Sequence, residues 1–253
     1  MYFDDKDIQR LRDVYNKEHS NERPIEAGSS EGVWSEIKAR LHDKCKTGRA
    51  ECIITSLMAR PKAPSGWRVN PEEWLSSTDI DKLENSFEEL FPDYSHLGTF
   101  PIDFDAKSET GKCLVSALCS MDIRKLAQDG KTQIGITFNT DVSTGPGEHW
   151  VAVFCDIRPE LAHPRMTYFD SYAQRPEKEI KRLMLRWKEQ WDATKSHPQG
   201  MKLTYNKTRH QYKDSECGMY CVYFHYCCLT GISMEERIPD DVVNGFRRLL
   251  FRV

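Results

Sequence analysis

The chain has 253 residues, of which 39% are hydrophobic and 30% charged, with a net charge of −3. This is the balance of an ordinary globular protein, large enough for one sizeable domain or a domain with an appendage. The slightly acidic total argues against non-specific nucleic-acid binding, and no apolar run reaches the roughly 18 residues of a membrane span. Met1-Tyr2-Phe3-Asp4-Asp5 is acidic where a secretory signal would carry an apolar core.

In chain order, Asp4 to His19 predicts a first helix with Ile8, Leu11 and Tyr15 on one stripe. Val33 to Lys46 predicts a second, with Val33, Ile37 and Leu41 on a face and Trp34 beside it. Ala50 to Arg60 is apolar and fits helix or strand. Pro61-Lys62-Ala63-Pro64-Ser65-Gly66 is a breaker cluster, so a helical arm (1–63) is expected to end there and a main domain (64–253) to follow. Glu72 to Ser77 carries Trp74-Leu75. Asp79 is placed as the cap of a helix with Ile80, Leu83, Phe87 and Leu90 at helical spacing, ended by Pro92. Asp122 to Gln128 is a short helix closed by Gly130.

A strand cluster follows. Ile134 to Phe138, Trp150 to Ile157 and Met166 to Phe169 are strands, with a tight loop at Asp141 to Gly147 and a proline-containing reversal at Arg158 to Arg165. Glu177 to Trp191 is a helix with Ile180, Leu183, Met184, Trp187 and Trp191 inward, and Met201 to Tyr205 a further short strand. The polar run Arg209 to Glu216 ends at Cys217, and the apolar run Met219 to Leu229 makes a buried helix from there. Pro239 opens a last helix, with Val242, Val243, Phe246, Leu249 and Leu250 expected inside. The pattern is α+β, with no internal repeat.

Nine cysteines, an odd number, in a chain without a secretory signal point to a reducing intracellular compartment and away from a disulfide framework. The pairs Cys45/Cys52, Cys113/Cys119 and Cys217/Cys221 lack matched C-x2-C halves, so no metal and no cofactor is expected. Cys217 differs from the other thiols by position. A helix N-terminus favours the thiolate, the attacking species. Gly218 beside it is expected to leave room for a substrate. Cys221, Cys227 and Cys228 lie deeper in the same helix, where burial opposes ionisation.

A nucleophilic thiol needs a base. His225, eight residues along the same helix, would lie roughly 12 Å away. His19 and His42 belong to the arm, and His163 and His197 to proline-containing links. His149 immediately precedes one strand and Asp170 ends the next. Antiparallel pairing would bring the start of one beside the end of the other, supplying base and orienting carboxylate together. His210 is a rival, close to Cys217 in sequence but without an obvious carboxylate. Gln211, six residues before Cys217, can offer an oxyanion donor beside the Cys217 backbone N–H.

The order His149-Trp150, Asp170, Gln211, Cys217-Gly218 resembles the ubiquitin-like-protein protease superfamily, which includes the SUMO proteases. The Asn139-Thr140-Asp141-x-Ser143-Thr144-Gly145 loop, the Arg209-His210-Gln211 lead-in and the closing Leu250-Phe251-Arg252 are closer still to the polyprotein proteases of large DNA viruses, the African swine fever virus type. The resemblance covers Trp67 to Val253, and the arm is carried by a looser likeness. It implies a papain-like cysteine protease core in circularly permuted order, a central mixed sheet flanked by helices. It also implies cleavage after small residues at Gly-Gly-X sites of a viral polyprotein or ubiquitin-like protein, in host cytoplasm or virion. Trp74 and Trp150 match the two tryptophans that roof the Gly-Gly tunnel, although Ser76-Ser77 departs from the Asn-Asp usual in SUMO proteases. The alternatives are a deSUMOylase-like isopeptidase, an acetyltransferase on the same triad, and an inactive module that binds ubiquitin-like proteins.

Overall fold

Residues 150–156 are apolar at almost every position, and such a strand needs cover on both faces. The computed structural model describes residues 5–43, 45–46, 52–53, 56 and 60–251, and it provides that cover. The strands are β1 (Tyr94–Pro101), β2 (Gln133–Asn139), β3 (Trp150–Asp156), β4 (Arg165–Phe169) and β5 (Lys202–Tyr205). They form one sheet of order β1-β2-β3-β4-β5, with β3 at its centre. β3 runs antiparallel to both neighbours, while β1 and β5 pair parallel with β2 and β4, so the sheet is mixed.

The helices are α1 (Asp5–Glu18), α2 (Ser30–Arg40), α3 (Ser77–Leu90), α4 (Ser116–Ser120), α5 (Ile123–Gln128), α6 (Lys178–Asp192), α7 (Cys217–Thr230) and α8 (Asp240–Leu250). Alternate residues of β3 serve different cores, as a two-residue period requires. Val151, Val153 and Cys155 pack with Leu183, Met184 and Trp187 of α6, whereas Ala152 and Phe154 pack with α7 and α3. α7 is apolar all round and buried at nearly every position, which marks a central helix rather than a surface one. Gly231, at φ +71°, closes it in the left-handed conformation that glycine adopts without strain. Ile8, Leu11, Tyr15, Val33 and Ile37 of the arm share the α7 core with Trp67 and Phe251. Among the described residues no helix is long and apolar enough to cross a membrane.

Several expectations need correction. β1 was not expected. Its polar residues and the positive-φ Gly98 interrupt the alternation that identifies strands, and the sheet register shifts between His96 and Thr99. The cap of α3 is Ser76, and Asp79 sits at its third position, closing a reciprocal capping box. In α8, Val242 and Leu249 are exposed and Arg247 is buried instead. Its guanidinium donates to the Glu73 and Ser215 carbonyls and lies over the Trp67 ring, so it ties α8 to the segments before Trp74 and Cys217. Four cysteines are paired, Cys45 with Cys52 and Cys113 with Cys119. An odd total does not exclude pairs formed within such short loops, whose Cα atoms the backbone brings to 5.7 and 6.5 Å. Most of the ambiguous segment Ala50 to Arg60 lies outside the described residues.

A buried polar network anchors α7 from below. His225 meets Glu84 of α3 at 2.8 Å through Nδ1 and the Val153 carbonyl of β3 at 3.2 Å through Nε2, while the Tyr94 hydroxyl donates to Glu84 at 2.7 Å. Burial alone would raise the Glu84 carboxyl, but the neighbouring His225 and His96 hold it below its ordinary range. Glu84→Ala removes the acceptor for two fully buried groups. It is expected to lower unfolding stability by about 3–5 kcal/mol in a urea titration. A loss below about 1 kcal/mol would show that the network contributes little.

Candidate active site

The β3–β4 ladder sets the first contact. Ala152 pairs with Phe169, so the residue before β3 and the residue after β4 lie at the same end of the sheet. His149 Nε2 and Asp170 Oδ1 are 2.7 Å apart there. Asp170 is buried and fixed from several sides. Its Oδ1 also accepts from the Tyr172 backbone N–H at 2.9 Å, and its Oδ2 from that of Gln174 at 3.1 Å. Its own N–H donates to Asn206 Oδ1, while Asn206 Nδ2 donates back to the Asp170 carbonyl. Asn206 follows β5, whose parallel register with β4 places it beside Asp170.

The first residue of α7 is Cys217, its side chain buried at 1% exposure. The first N–H groups of a helix have no intrahelical acceptor, so the backbone here presents donors and the positive end of the helix dipole. The Cys217 thiol lies close enough to the His149 ring to act on its titration. Since Nε2 is engaged by Asp170, the nitrogen left for sulfur is Nδ1. Burial by itself would lower the His149 pKa. The hydrogen bonds and charges of Asp170 and Cys217 outweigh it, and the imidazole is pushed up to about 9. Burial pushes the Cys155, Cys221 and Cys228 thiols up, away from thiolate.

Gln211 is fully buried on the loop leading to α7. Ser171 Oγ donates to its Oε1 at 2.6 Å, and its Nε2 donates to the Lys213 carbonyl at 2.8 Å. That leaves Nε2 a second N–H. The Ser171 carbonyl accepts the backbone N–H groups of both His210 and Gln211, locking the loop to the end of β4. His210, the rival base, is buried elsewhere. Its Nδ1 accepts the Ile238 N–H, its ring packs on Phe169, and burial followed by the Arg237 charge lowers its pKa.

Gly218 does not open a substrate path, contrary to expectation. A Cβ there would stand 3.1 Å from Leu75 Cβ and 3.3 Å from Trp150 Cδ1, so the missing side chain admits these two residues against the helix start. Trp150 is mostly buried, and its Nε1 donates to the Leu75 carbonyl at 3.0 Å. Trp74 is exposed. Both tryptophans line a groove of about 670 Å³, whose other walls include Thr99, Phe100, Asn139 and the 141–147 loop. That loop is shaped by carboxylates. Asp141 accepts from the N–H groups of Val142 and Gly147, and Asp103 accepts from the Ser143 N–H and hydroxyl.

Sequence reasoning missed Ser171, Tyr172 and Asn206. The Tyr172 ring stacks on His149 with centroids 4.8 Å apart. The adjacency of Ser171 and Tyr172 to Asp170 was a usable signal, as was the parallel return of β5 for Asn206.

Residues 131–252 match the model of the Ulp1 protease family, C-terminal catalytic domain. A putative thiol protease of Acanthamoeba polyphaga mimivirus is 29% identical over 184 residues, 71% of this chain and 57% of that protein. A cysteine protease of African swine fever virus is 37% identical over 123 residues, 47% of this chain and 44% of that protein. The chain thus spans about half the length of these curated relatives. The crystal structure of the African swine fever virus protease covers 100% of this chain and 92% of its own at a TM-score of 0.64 and 21% identity. The C-terminal Ulp1 protease domain, solved in complex with the yeast orthologue of SUMO, covers 85% and 91% at a TM-score of 0.51 and 13% identity. These structural likenesses show the fold. The resemblance read from the motifs therefore holds: the chain is a relative of the Ulp1-type and African swine fever virus-type cysteine proteases.

An NMR titration of the imidazole should follow the geometry. His149 is expected to keep its imidazolium up to about pH 9 and to lose it as pH rises through that value. In Asp170→Asn and in Cys217→Ala the midpoint should fall, because each variant removes a negative partner. A wild-type midpoint near 6.5 would contradict the arrangement.

Proposed function

We propose that this relative of the Ulp1-type and African swine fever virus-type proteases is itself a cysteine endopeptidase, in which Cys217, His149, Asp170 and Gln211 carry the reaction. One observation supports it above all. His149 is held between a buried carboxylate and a thiol at a helix start, with its basicity raised by both. The proton of Cys217 resides on His149 Nδ1, and Asp170 stabilises the imidazolium of this thiolate pair. The thiolate attacks the scissile carbonyl. Its electrons move onto oxygen, which the Cys217 backbone N–H and the second N–H of Gln211 Nε2 receive. Collapse of the tetrahedral species expels the amine, which takes the His149 proton. Water then attacks the thioester, gives a proton to His149, and releases the acid and the thiolate.

The substrate is proposed as a protein cut at Gly-Gly-X, viral polyprotein being the first candidate and a ubiquitin-like protein the second. The viral relatives support the first, and the Ulp1 complex with a SUMO orthologue supports the second. The groove lined by Trp74 and Trp150 is proposed to take the substrate segment next to the cut. The arm (1–63) is proposed as scaffold for the core (64–253), its apolar residues completing the cluster around α7.

A Gly-Gly-X peptide library cut by the purified chain tests this reading. Cys217→Ala and His149→Ala should abolish cleavage while circular dichroism stays that of the wild type. Retained cleavage by Cys217→Ala would exclude it as nucleophile. Gln211→Ala should cost about 2.7–4 kcal/mol in the acylation barrier, about 10²–10³ in kcat. A change below about tenfold would remove Gln211 from the oxyanion site.

A further inference from the structure

The hydrogen bond from Asp170 fixes one edge of His149, but not the tilt of its ring. The torsion that turns an imidazole about its Cβ–Cγ bond is broad, so a single hydrogen bond leaves it loosely defined. His149 is also the least enclosed of the four reacting side chains, its side chain 16% exposed beside an Asp170 at 3%. The Tyr172 ring lies over the open face. The rings stack at 4.8 Å with an interplanar angle of 28°. The backbone of the same residue donates to Asp170 Oδ1, the oxygen that meets His149 Nε2.

Tyr172 is itself held. Its hydroxyl donates to the Lys213 carbonyl at 3.3 Å, the carbonyl that also accepts from Gln211 Nε2. The Arg209 guanidinium lies 5.2 Å from the Tyr172 centroid and 4.5 Å from that of Tyr212, and its Nε donates to the Gln211 carbonyl at 2.9 Å. The sequence gives Tyr172 no catalytic chemistry of its own, and the mechanism above does not use it.

We propose that Tyr172 is a positioning residue that roofs the His149 imidazole, and that Arg209 braces this roof and links it to the Gln211 loop. The tyrosine face attracts the imidazolium, because an aromatic face carries negative charge density. It also keeps the ring in the plane where Nε2 meets Asp170 and Nδ1 meets sulfur. Displacement of a catalytic group by about 1 Å can cost about 10²-fold in rate. The active role is therefore one of geometry and charge, and it depends on the aromatic ring rather than on the hydroxyl. The inference rests on His149 acting as the base of the proposed endopeptidase.

Four variants test it in one Gly-Gly-X peptide assay. Tyr172→Phe keeps the ring and should retain kcat within about twofold. Tyr172→Leu keeps an apolar side chain, somewhat smaller, without the ring. It should lower kcat by about tenfold or more with KM little changed, as expected when a catalytic group is misplaced. In Tyr172→Leu the alkaline limb of kcat should also move below its wild-type position near pH 9, while Tyr172→Phe keeps it there. Arg209→Ala should show the same direction in weaker form. Equal kcat and pH profiles for the Phe and Leu variants would overturn the roof, and a wild-type Arg209→Ala would overturn the brace. The fourth variant, His149→Ala, separates the two levels. Cleavage by that protein would sink the underlying reading and the inference together, whereas its inactivity with an indifferent Tyr172→Leu sinks the inference alone.

Discussion

The hydrogen bond between His149 and Asp170 is the constraint on which the rest of the site depends. It exists because β3 and β4 pair antiparallel, so the start of one strand and the end of the other lie at the same end of the sheet. Everything else at the site is positioned against that end. The Ser171 carbonyl takes two N–H groups of the 210–211 loop, Asn206 brackets the Asp170 backbone from β5, and α7 delivers Cys217 from the core side. Cys217, the proposed nucleophile, is placed by a buried helix, and His149 and Asp170 by a buried sheet. Neither depends on the register of an exposed loop, which suits chemistry sensitive to ångström displacements.

The helix start is held from three directions. Gly218 admits Trp150 and Leu75 against α7, so the tryptophan after the histidine reports on both His149 and Cys217. Arg247 pins the Ser215 carbonyl just before the helix, and the Glu84–His225 pair secures the helix two turns further on. The groove with Trp74 on its rim thus shares one wall, Leu75 and Trp150, with the packing around the start of α7.

Much of this was legible in the sequence where a local pattern reported a global fact. The unbroken apolar run after Cys217 marks a central helix, and a histidine before one strand with an aspartate after the next marks a shared end of the sheet. What escaped depends on contacts between distant segments. β1 carries too many polar residues to show alternation, because it lies at the sheet edge with its residues half-buried. Arg247 reads as a surface residue until Trp67 and the Glu73 carbonyl come to meet it. Gly218 reads as open space in sequence because the residue that fills it, Leu75, is more than a hundred positions away. The paired cysteines were missed because counting thiols says nothing about loops short enough to close on themselves.

The central claim is that Cys217 alone among the five cysteines outside the two disulfides is the nucleophile. Its most direct test is reaction of the native chain with a peptide vinyl sulfone ending in Gly-Gly, followed by intact mass and peptide mapping. The account predicts one adduct per chain, on Cys217, and none when His149 is replaced by alanine. An adduct on another cysteine, or cleavage activity that survives complete labelling of Cys217, would contradict it.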